Sequence, residues 1–263
     1  MCALALAMQD SGWIVSGSDT NESFITDDIL ESRKIKIDRL DKPLRDDLDL
    51  VVCSAAYTPP KTKIKTISLA EALAQFVQDK KVIAVAGVGG KTTTTAMLAA
   101  LFHAGGRDVG YYVGTGSIAG LSAPGASGTD PYFIVEADEY SVSKLDHRPK
   151  FALLSPDIVI TTNIIHDHPD IYEDEDATLA VFTSLITKIP ASGTWICNPT
   201  DRLTAKIIGN VSLRCKIVTY SVDNPLFEHI HLSVFGDQNK IDAVASVLAA
   251  IEAGMSEDRA LTA

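Results

Sequence analysis

Lys91 and Thr92 are the residues of this chain best suited to chemistry, because of what surrounds them. They follow Gly87-Val88-Gly89-Gly90 and precede Thr93. An apolar run over 82–86 would feed this turn as a buried strand, and 92–104 suits a helix that Gly105-Gly106 would stop. Strand, tight glycine turn and helix is the context of a phosphate-binding loop. Gly87, Gly89 and Gly90 would let backbone N–H groups approach phosphate oxygens at the positive end of a helix. Lys91 would reach the β- and γ-phosphates of a nucleotide, and the Thr92 hydroxyl would be a Mg²⁺ ligand. The generic motif asks for glycine six residues before the lysine, where this chain has Val85. The alternative is an ordinary glycine turn capped by threonines. As a loop lysine, Lys91 would have little packing role, so Lys91→Ala is expected to weaken nucleotide binding and leave the fold intact.

Other candidates sit at the ends of apolar runs. Glu136-Ala137-Asp138-Glu139 closes the run 132–135, and ligands of α/β sheets gather at the carboxyl ends of strands. Glu136 there is placed to hold Mg²⁺ beside the phosphate loop; a solvated acidic turn is the plainer reading. His166-Asp167-His168 follows the run 158–163. H-x-H can be half of a zinc site, but no third ligand of suitable spacing is evident, and spacing does not choose between the two histidines. Asn239, at a loop–helix junction, could read an adenine edge, or Asp237 could simply cap the helix. Ser16-Gly17-Ser18-Asp19 ends the run 13–19, where a dinucleotide-type fold places a carboxylate against a ribose; Asp19 serves equally well as a turn cap.

The elements that must position these residues alternate along the chain. Helices are expected at 3–9, 23–32, 68–78 (with a capping box from Ser68 to Glu71), 92–104 and 176–189, and an amphipathic one at 238–253. Strands are expected at 13–19, 35–37, 47–54, 82–86, 108–113, 132–136, 158–163, 193–197 and 217–220. This alternation predicts an α/β protein with parallel sheets. Asp79-Lys80-Lys81 reads as a hinge, dividing the chain into domains 1–79 and 80–263. The first domain opens on a helix, where a doubly wound fold would open on a strand and glycine-rich turn.

Composition narrows the function classes. The net charge is −11 and no Lys/Arg run of five exists, which disfavours nucleic acid as a partner. The longest apolar runs are too short for membrane insertion, and residues 1–8 lack the basic flank and cleavage site of a signal peptide. Cys2, Cys53, Cys197 and Cys215 show no C-x-x-C spacing, which reads as reduced thiols in a cytoplasmic protein.

Taken together these stretches resemble the Mur ligase family, the ATP-dependent ligases of peptidoglycan precursor synthesis. AVAGVGGKTTTTAML is similar to the family's phosphate loop, which is shorter than the generic one and accounts for Val85. VEADEY, TTNIIHDHPDIY and FGDQN resemble its next three motifs in order, and VSGSDTNES and VVCSAAYTPP its UDP-substrate domain. The resemblance covers nearly the whole chain. It implies an incomplete Rossmann-like N-terminal domain lacking its first strand, then a P-loop-type central ATPase domain, with the family's C-terminal domain absent. It implies ATP and Mg²⁺ as cofactors. Lys91 would contact the phosphates within the Gly87, Gly89, Gly90, Thr92 and Thr93 loop, Thr92 and Glu136 would hold one Mg²⁺ and His168 a second, and Asn239 would face adenine. Lys91, Glu136 and His168 would carry catalysis, while Ser16, Ser18 and Asp19 would contact a nucleotide sugar of the UDP-N-acetylmuramate type. An amino acid or peptide would be joined to that sugar's carboxylate through an acyl phosphate, in a site that the missing domain would complete. Gly89, Ile165, Gln238 and Asp242 depart from the histidine, glutamate, histidine and asparagine frequent in the family. The other readings are a nucleotide-binding module without ligase chemistry and a polyglutamate- or cyanophycin-type ligase, the latter disfavoured by the SGSD and CSAA stretches.

Overall fold

The computed structural model describes every residue except His168 and Asp170. In chain order the elements are α1 (Cys2–Asp10), β1 (Ser16–Asp19), α2 (Asp27–Ser32), β2 (Lys36–Arg39), β3 (Val51–Cys53), β4 (Thr66–Ser68) and α3 (Leu69–Phe76). There follow β5 (Lys81–Ala86), α4 (Lys91–Ala104), β6 (Gly110–Tyr112), β7 (Gly125–Ala126), β8 (Tyr132–Glu136) and, after a short 3₁₀ turn, β9 (Pro156–Thr161). The last third contains α5 (Glu175–Thr187), β10 (Thr194–Cys197), α6 (Arg202–Asn210), β11 (Lys216–Thr219), α7 (Leu226–His229), α8 (Asp237–Glu252) and α9 (Glu257–Thr262).

Strands β5 to β11 form one seven-stranded sheet in the order β11-β10-β9-β5-β8-β6-β7, parallel except for β7. The period-two alternation of its strands builds two cores. Ile83 and Val85 of β5, Ile134 of β8, Ile160 of β9 and Ile196 of β10 face Leu98, Phe102, Val244 and Val247 from α4 and α8. Val82, Ala84, Phe133, Val159 and Trp195 face the other way, onto Leu73, Phe182, Leu185 and Ile207 from α3, α5 and α6. Both faces are covered, so the central strands read as unbroken apolar runs. β5 lies between β8 and β9, both later in the chain. Its carboxyl end is therefore where the strand order reverses, the place at which open α/β sheets hold ligands.

The first 79 residues form two separate two-stranded parallel sheets, β1-β2 and β3-β4. Among the described residues no strand pairs with the outer edge of β1 or β3. The strand expected from Trp13 starts only at Ser16, paired to Lys36. Among the described residues Trp13 and Ile14 have no ladder partner, and both stay exposed, Ile14 at 99%. Helix α1 packs on the large sheet, so tightly that a Cβ on Gly125 would meet the Ala3 carbonyl oxygen at 2.2 Å. Leu6, Ile35 and Ala123 form a small core joining the two regions.

Two further differences have physical causes. The segment read as an amphipathic helix at 238–253 is instead buried on almost all sides from Asp242 to Ala250. Its small side chains let α4 approach closely enough for the Ser246 hydroxyl to donate to the Thr94 carbonyl at 3.2 Å. The helix expected from residue 23 begins at Asp27, whose carboxylate accepts from Phe24 N and holds the preceding residues in a turn. The Ser68–Glu71 capping box forms as expected.

Candidate active site

The loop after β5 owes its shape to two glycines. Gly87 has φ 133°, and a Cβ there would lie 2.2 Å from Thr162 Oγ1. Gly90 has φ 84° and caps α4 without a side chain, leaving the positive end of that helix open toward the loop. The end of β9 pins the loop from the side. Asn163 Oδ1 accepts from Val88 N and Gly89 N, both at 3.0 Å. Asn163 Nδ2 donates to the Gly89 carbonyl at 3.1 Å, and Thr162 Oγ1 donates to the same oxygen at 2.6 Å.

The three acids at and just beyond the end of β8 take different partners. Glu136 Oε1 accepts from the Thr92 hydroxyl at 2.7 Å, and its Oε2 from Gly114 N at 2.6 Å. Asp138 pairs with Lys150 Nζ at 2.6 Å. Glu139 pairs with Lys91 Nζ, at 3.1 Å through Oε1 and 2.9 Å through Oε2. Lys91 also donates to the Val88 carbonyl at 3.2 Å. This ion pair is well buried, with side-chain exposures of 14% for Lys91 and 3% for Glu139. Tyr172 closes over it by donating its hydroxyl to the Glu139 carbonyl at 2.5 Å, and burial raises the Tyr172 phenol's pKa well above the usual range. Lys91 is thus part of the buried structure, contrary to its reading as a loop residue without a packing role.

The structure brings Lys91, Thr92 and Glu136 together at the carboxyl end of β5. Thr92 and Glu136 offer a hydroxyl and a carboxylate, hard oxygen donors within 2.7 Å of each other, which fit a Mg²⁺ ion that takes its remaining ligands from phosphate and water. Among the described residues no cluster of three or more His, Cys, Asp or Glu side chains could hold a metal by itself. His168 lies outside the described residues. His166 Nδ1 lies 3.0 Å from the Thr178 hydroxyl of α5. Asn239 sits in the first turn of α8, where its Nδ2 donates to the Phe235 carbonyl at 2.7 Å. The expected alternative, Asp237 as helix cap, does not form: Gly236 is the cap residue and Asp237 the first helical residue.

Ser16, Ser18 and Asp19 lie on β1, in a different sheet. Asp19 lines a cleft of about 420 Å³ with Thr20, Glu22, Asp27, Lys34 and Lys36. Its Oδ1 accepts from Thr20 N at 2.8 Å, as a turn-capping aspartate would. Ser16 and Ser18 are exposed on the same strand.

Sequence reasoning missed three contacts of the site: Glu139 with Lys91, Asn163 beneath the loop, and Asp242, noted only as a departure from the family's asparagine, against Gly90. Asp242 belongs to α8, is 2% exposed, and is packed against Gly90, where a Cβ would meet its oxygens at 3.0 and 3.1 Å. Burial raises its pKa to about 6. A lone acid within the Ala- and Val-rich run 241–250 was the available signal for it. For Asn163 the signal was the polar end of an apolar strand.

Residues 85–253 match the Mur ligase middle domain. UDP-N-acetylmuramate--L-alanine ligase of Clostridium kluyveri is 32% identical over 98% of this chain and 62% of its own length. The protein of the same name from Buchnera aphidicola is 30% identical over 100% and 59%. The chain therefore spans about 60% of the length of the curated relatives it matches. Among solved structures, UDP-N-acetylmuramate:L-alanyl-gamma-D-glutamyl-meso-diaminopimelate ligase from Neisseria meningitides superposes with a TM-score of 0.86 at 22% identity, over 100% of this chain and 93% of that one. UDP-N-acetylmuramate-alanine ligase from Thermotoga maritima gives 0.76 at 20% identity, over 100% and 64%. These two likenesses concern the fold. With the middle-domain match spanning the phosphate loop, the β8 acids and α8, the chain belongs to the Mur ligase family.

Proposed function

We propose that the chain carries the nucleotide site of an ATP-dependent amide-bond ligase of peptidoglycan precursor synthesis, working in the cytoplasm. Its substrates would be a nucleotide sugar of the UDP-N-acetylmuramate type and an amino acid or peptide. The observation that carries this reading is the gathering of Lys91, Thr92 and Glu136 around one glycine loop at the switch point of the sheet. The names of the similar proteins support the substrate class.

In this reading residues 80–263 bind ATP and residues 1–79 bind the UDP portion, with the Asp19 cleft as its site and Ser16 and Ser18 at its edge. The loop of Gly87, Gly89, Gly90 and Thr93 cradles the phosphates at the N-terminus of α4. Lys91 exchanges Glu139 for phosphate oxygens and offsets their charge during transfer. Thr92 and Glu136 hold a Mg²⁺ ion, which when bound supplies further charge neutralisation. Assignment of a second metal to His168 rests on the sequence resemblance alone. So does the position of adenine at Asn239, whose amide would have to leave the Phe235 carbonyl. The sugar's carboxylate oxygen bonds to the γ-phosphorus as the bond to ADP breaks. The amine nitrogen then bonds to the acyl carbon, giving up a proton, and inorganic phosphate leaves.

The test is a coupled ADP-release assay with UDP-N-acetylmuramate, Mg²⁺ and each candidate amine, with the amide product identified by mass spectrometry. It is run on the 263-residue chain and on any longer form that its reading frame encodes. The short chain is expected to bind ATP; its turnover is expected near background if holding the amine and excluding water need more than these residues supply. Amide formation by the longer form supports the ligase reading. ATP binding without amide in every form would leave a nucleotide-binding module instead.

A further inference from the structure

We infer that Asp242 is a positioning residue of the phosphate loop whose carboxyl takes up a proton when nucleotide phosphates bind, making phosphate affinity depend on pH. This rests on the nucleotide-site reading above. The geometry is that of two anions sharing one helix end. The Asp242 oxygens lie against Gly90, the cap of α4, close enough that a Cβ there would meet them at 3.0 and 3.1 Å. The N-terminus of α4 is also the positive pole that phosphate would use. A charged Asp242 and a bound phosphate therefore repel across the thickness of one glycine.

The carboxyl has few means of staying charged. It is 2% exposed. Gln238 Nε2 reaches it only at 3.4 Å, the limit of a hydrogen bond. The buried Thr94 hydroxyl finds no well-formed partner of its own and adds a weak favourable contact. No cation pairs with Asp242 among the described residues. Lys91 of α4 is turned toward Glu139, and His103 lies in the last turn of that helix. Tyr220, after β11, senses the carboxylate but is itself held neutral by burial and bonded to the Thr161 carbonyl. On the other elements packed against α8, Glu228 and His229 of α7 are exposed. Asp157 of β9 accepts from Val82 N, and burial pushes the Cys197 thiol of β10 up to about 12. Arg259 of α9 reaches Gly106 at the far end of α4, and Glu257 and Asp258 share its exposed helix. Along α8 itself, Lys240 stacks on Phe227, Glu252 pairs with Lys216, and Asp237 is exposed in the first turn.

The sign follows from linkage. Burial holds the pKa of the nucleotide-free carboxyl near 6, and adjacent phosphate charge raises it further. Affinity is then greatest below pH 6, falls as pH rises through that value, and levels off above the higher pKa of the bound state. A rise of about one pKa unit on binding corresponds to about a tenfold loss of affinity over the full range, of which about fivefold falls between pH 6 and 8.

The experiment is calorimetric titration of MgATP into wild-type protein and Asp242→Asn from pH 5.5 to 8.5, in pairs of buffers of different ionisation enthalpy. The side-chain carboxyl carbon of Asp242 is followed by NMR in wild-type protein with and without MgATP. Expected are a wild-type affinity that falls about fivefold relative to Asp242→Asn between pH 6 and 8, and proton uptake that the variant lacks. The Asp242 titration should also move upward on MgATP binding. Superimposable pH profiles and equal proton uptake would overturn the proposal, as would an Asp242 midpoint unmoved by MgATP; the wild-type readings decide it if the variant fails to fold. Absence of MgATP binding by both proteins at every pH would instead overturn the nucleotide-site reading itself.

Discussion

Replacing Lys91 by alanine should cost the protein stability as well as nucleotide. The ammonium is 14% exposed and lies 2.9 Å from a carboxylate that is 3% exposed. Removing one partner of such a pair leaves the other charged in a poorly solvated site, at a cost of about 3 kcal/mol. For a chain of this size that lowers the melting temperature by about 6–12 °C. Glu139→Gln keeps the shape of the side chain and removes its charge, so it should cost less, about 1–2 kcal/mol. The double variant Lys91→Ala/Glu139→Gln removes both charges together, and should fall short of the summed single effects by more than about 1 kcal/mol. The assay is urea unfolding of the four proteins at one pH, with MgATP titration of each folded form. Lys91→Ala should lose nucleotide affinity in either background, because the phosphate contact is lost whether or not Glu139 is charged. Additive unfolding energies within about 0.5 kcal/mol would refute the buried-pair argument.

Three more outcomes follow from named contacts. Asn163→Ala deletes the side chain that holds Val88 N, Gly89 N and the Gly89 carbonyl, and should cost about 2–3 kcal/mol in urea unfolding while weakening MgATP binding. Glu136→Gln keeps a partner for Thr92 but loses the metal-binding charge; the gain in ATP affinity on adding Mg²⁺ should shrink about tenfold or more, and an unchanged Mg²⁺ dependence would remove Glu136 from the metal site. Asp242 has a folded pKa of about 6 against an ordinary 3.8, so stability present below pH 3.8 is lost as pH rises to about 6. Asp242→Asn should therefore be more stable than wild type at pH 8, by up to about 3 kcal/mol, and show no such gain at pH 4, as urea unfolding at the two values would reveal.

The loop and its strand were legible because their rules are local. Gly87 and Gly90 adopt the positive φ that only glycine takes readily, and 82–86 is apolar on both faces because both faces are covered. The Ser68–Glu71 capping box is likewise a pattern of neighbours. What escaped depends on strand order and helix packing. Nothing near Lys91 shows that β8 will lie beside β5 and bring up Glu139 rather than Asp138, or that β9 on the other side will bring up Asn163. Asp242 meets Gly90 only because the small residues of α8 let it lie against α4. The late start of β1 has a similar cause, since residues 13–15 have strand character but no ladder partner among the described residues.

The central claim, that the Lys91 loop is an ATP–Mg²⁺ site, is tested most directly by calorimetric titration of MgATP into the 263-residue protein. The account predicts saturable one-site binding that weakens sharply when Mg²⁺ is chelated and again, in folded protein, when Lys91 is replaced by alanine. No binding, or binding indifferent to both changes, would contradict it.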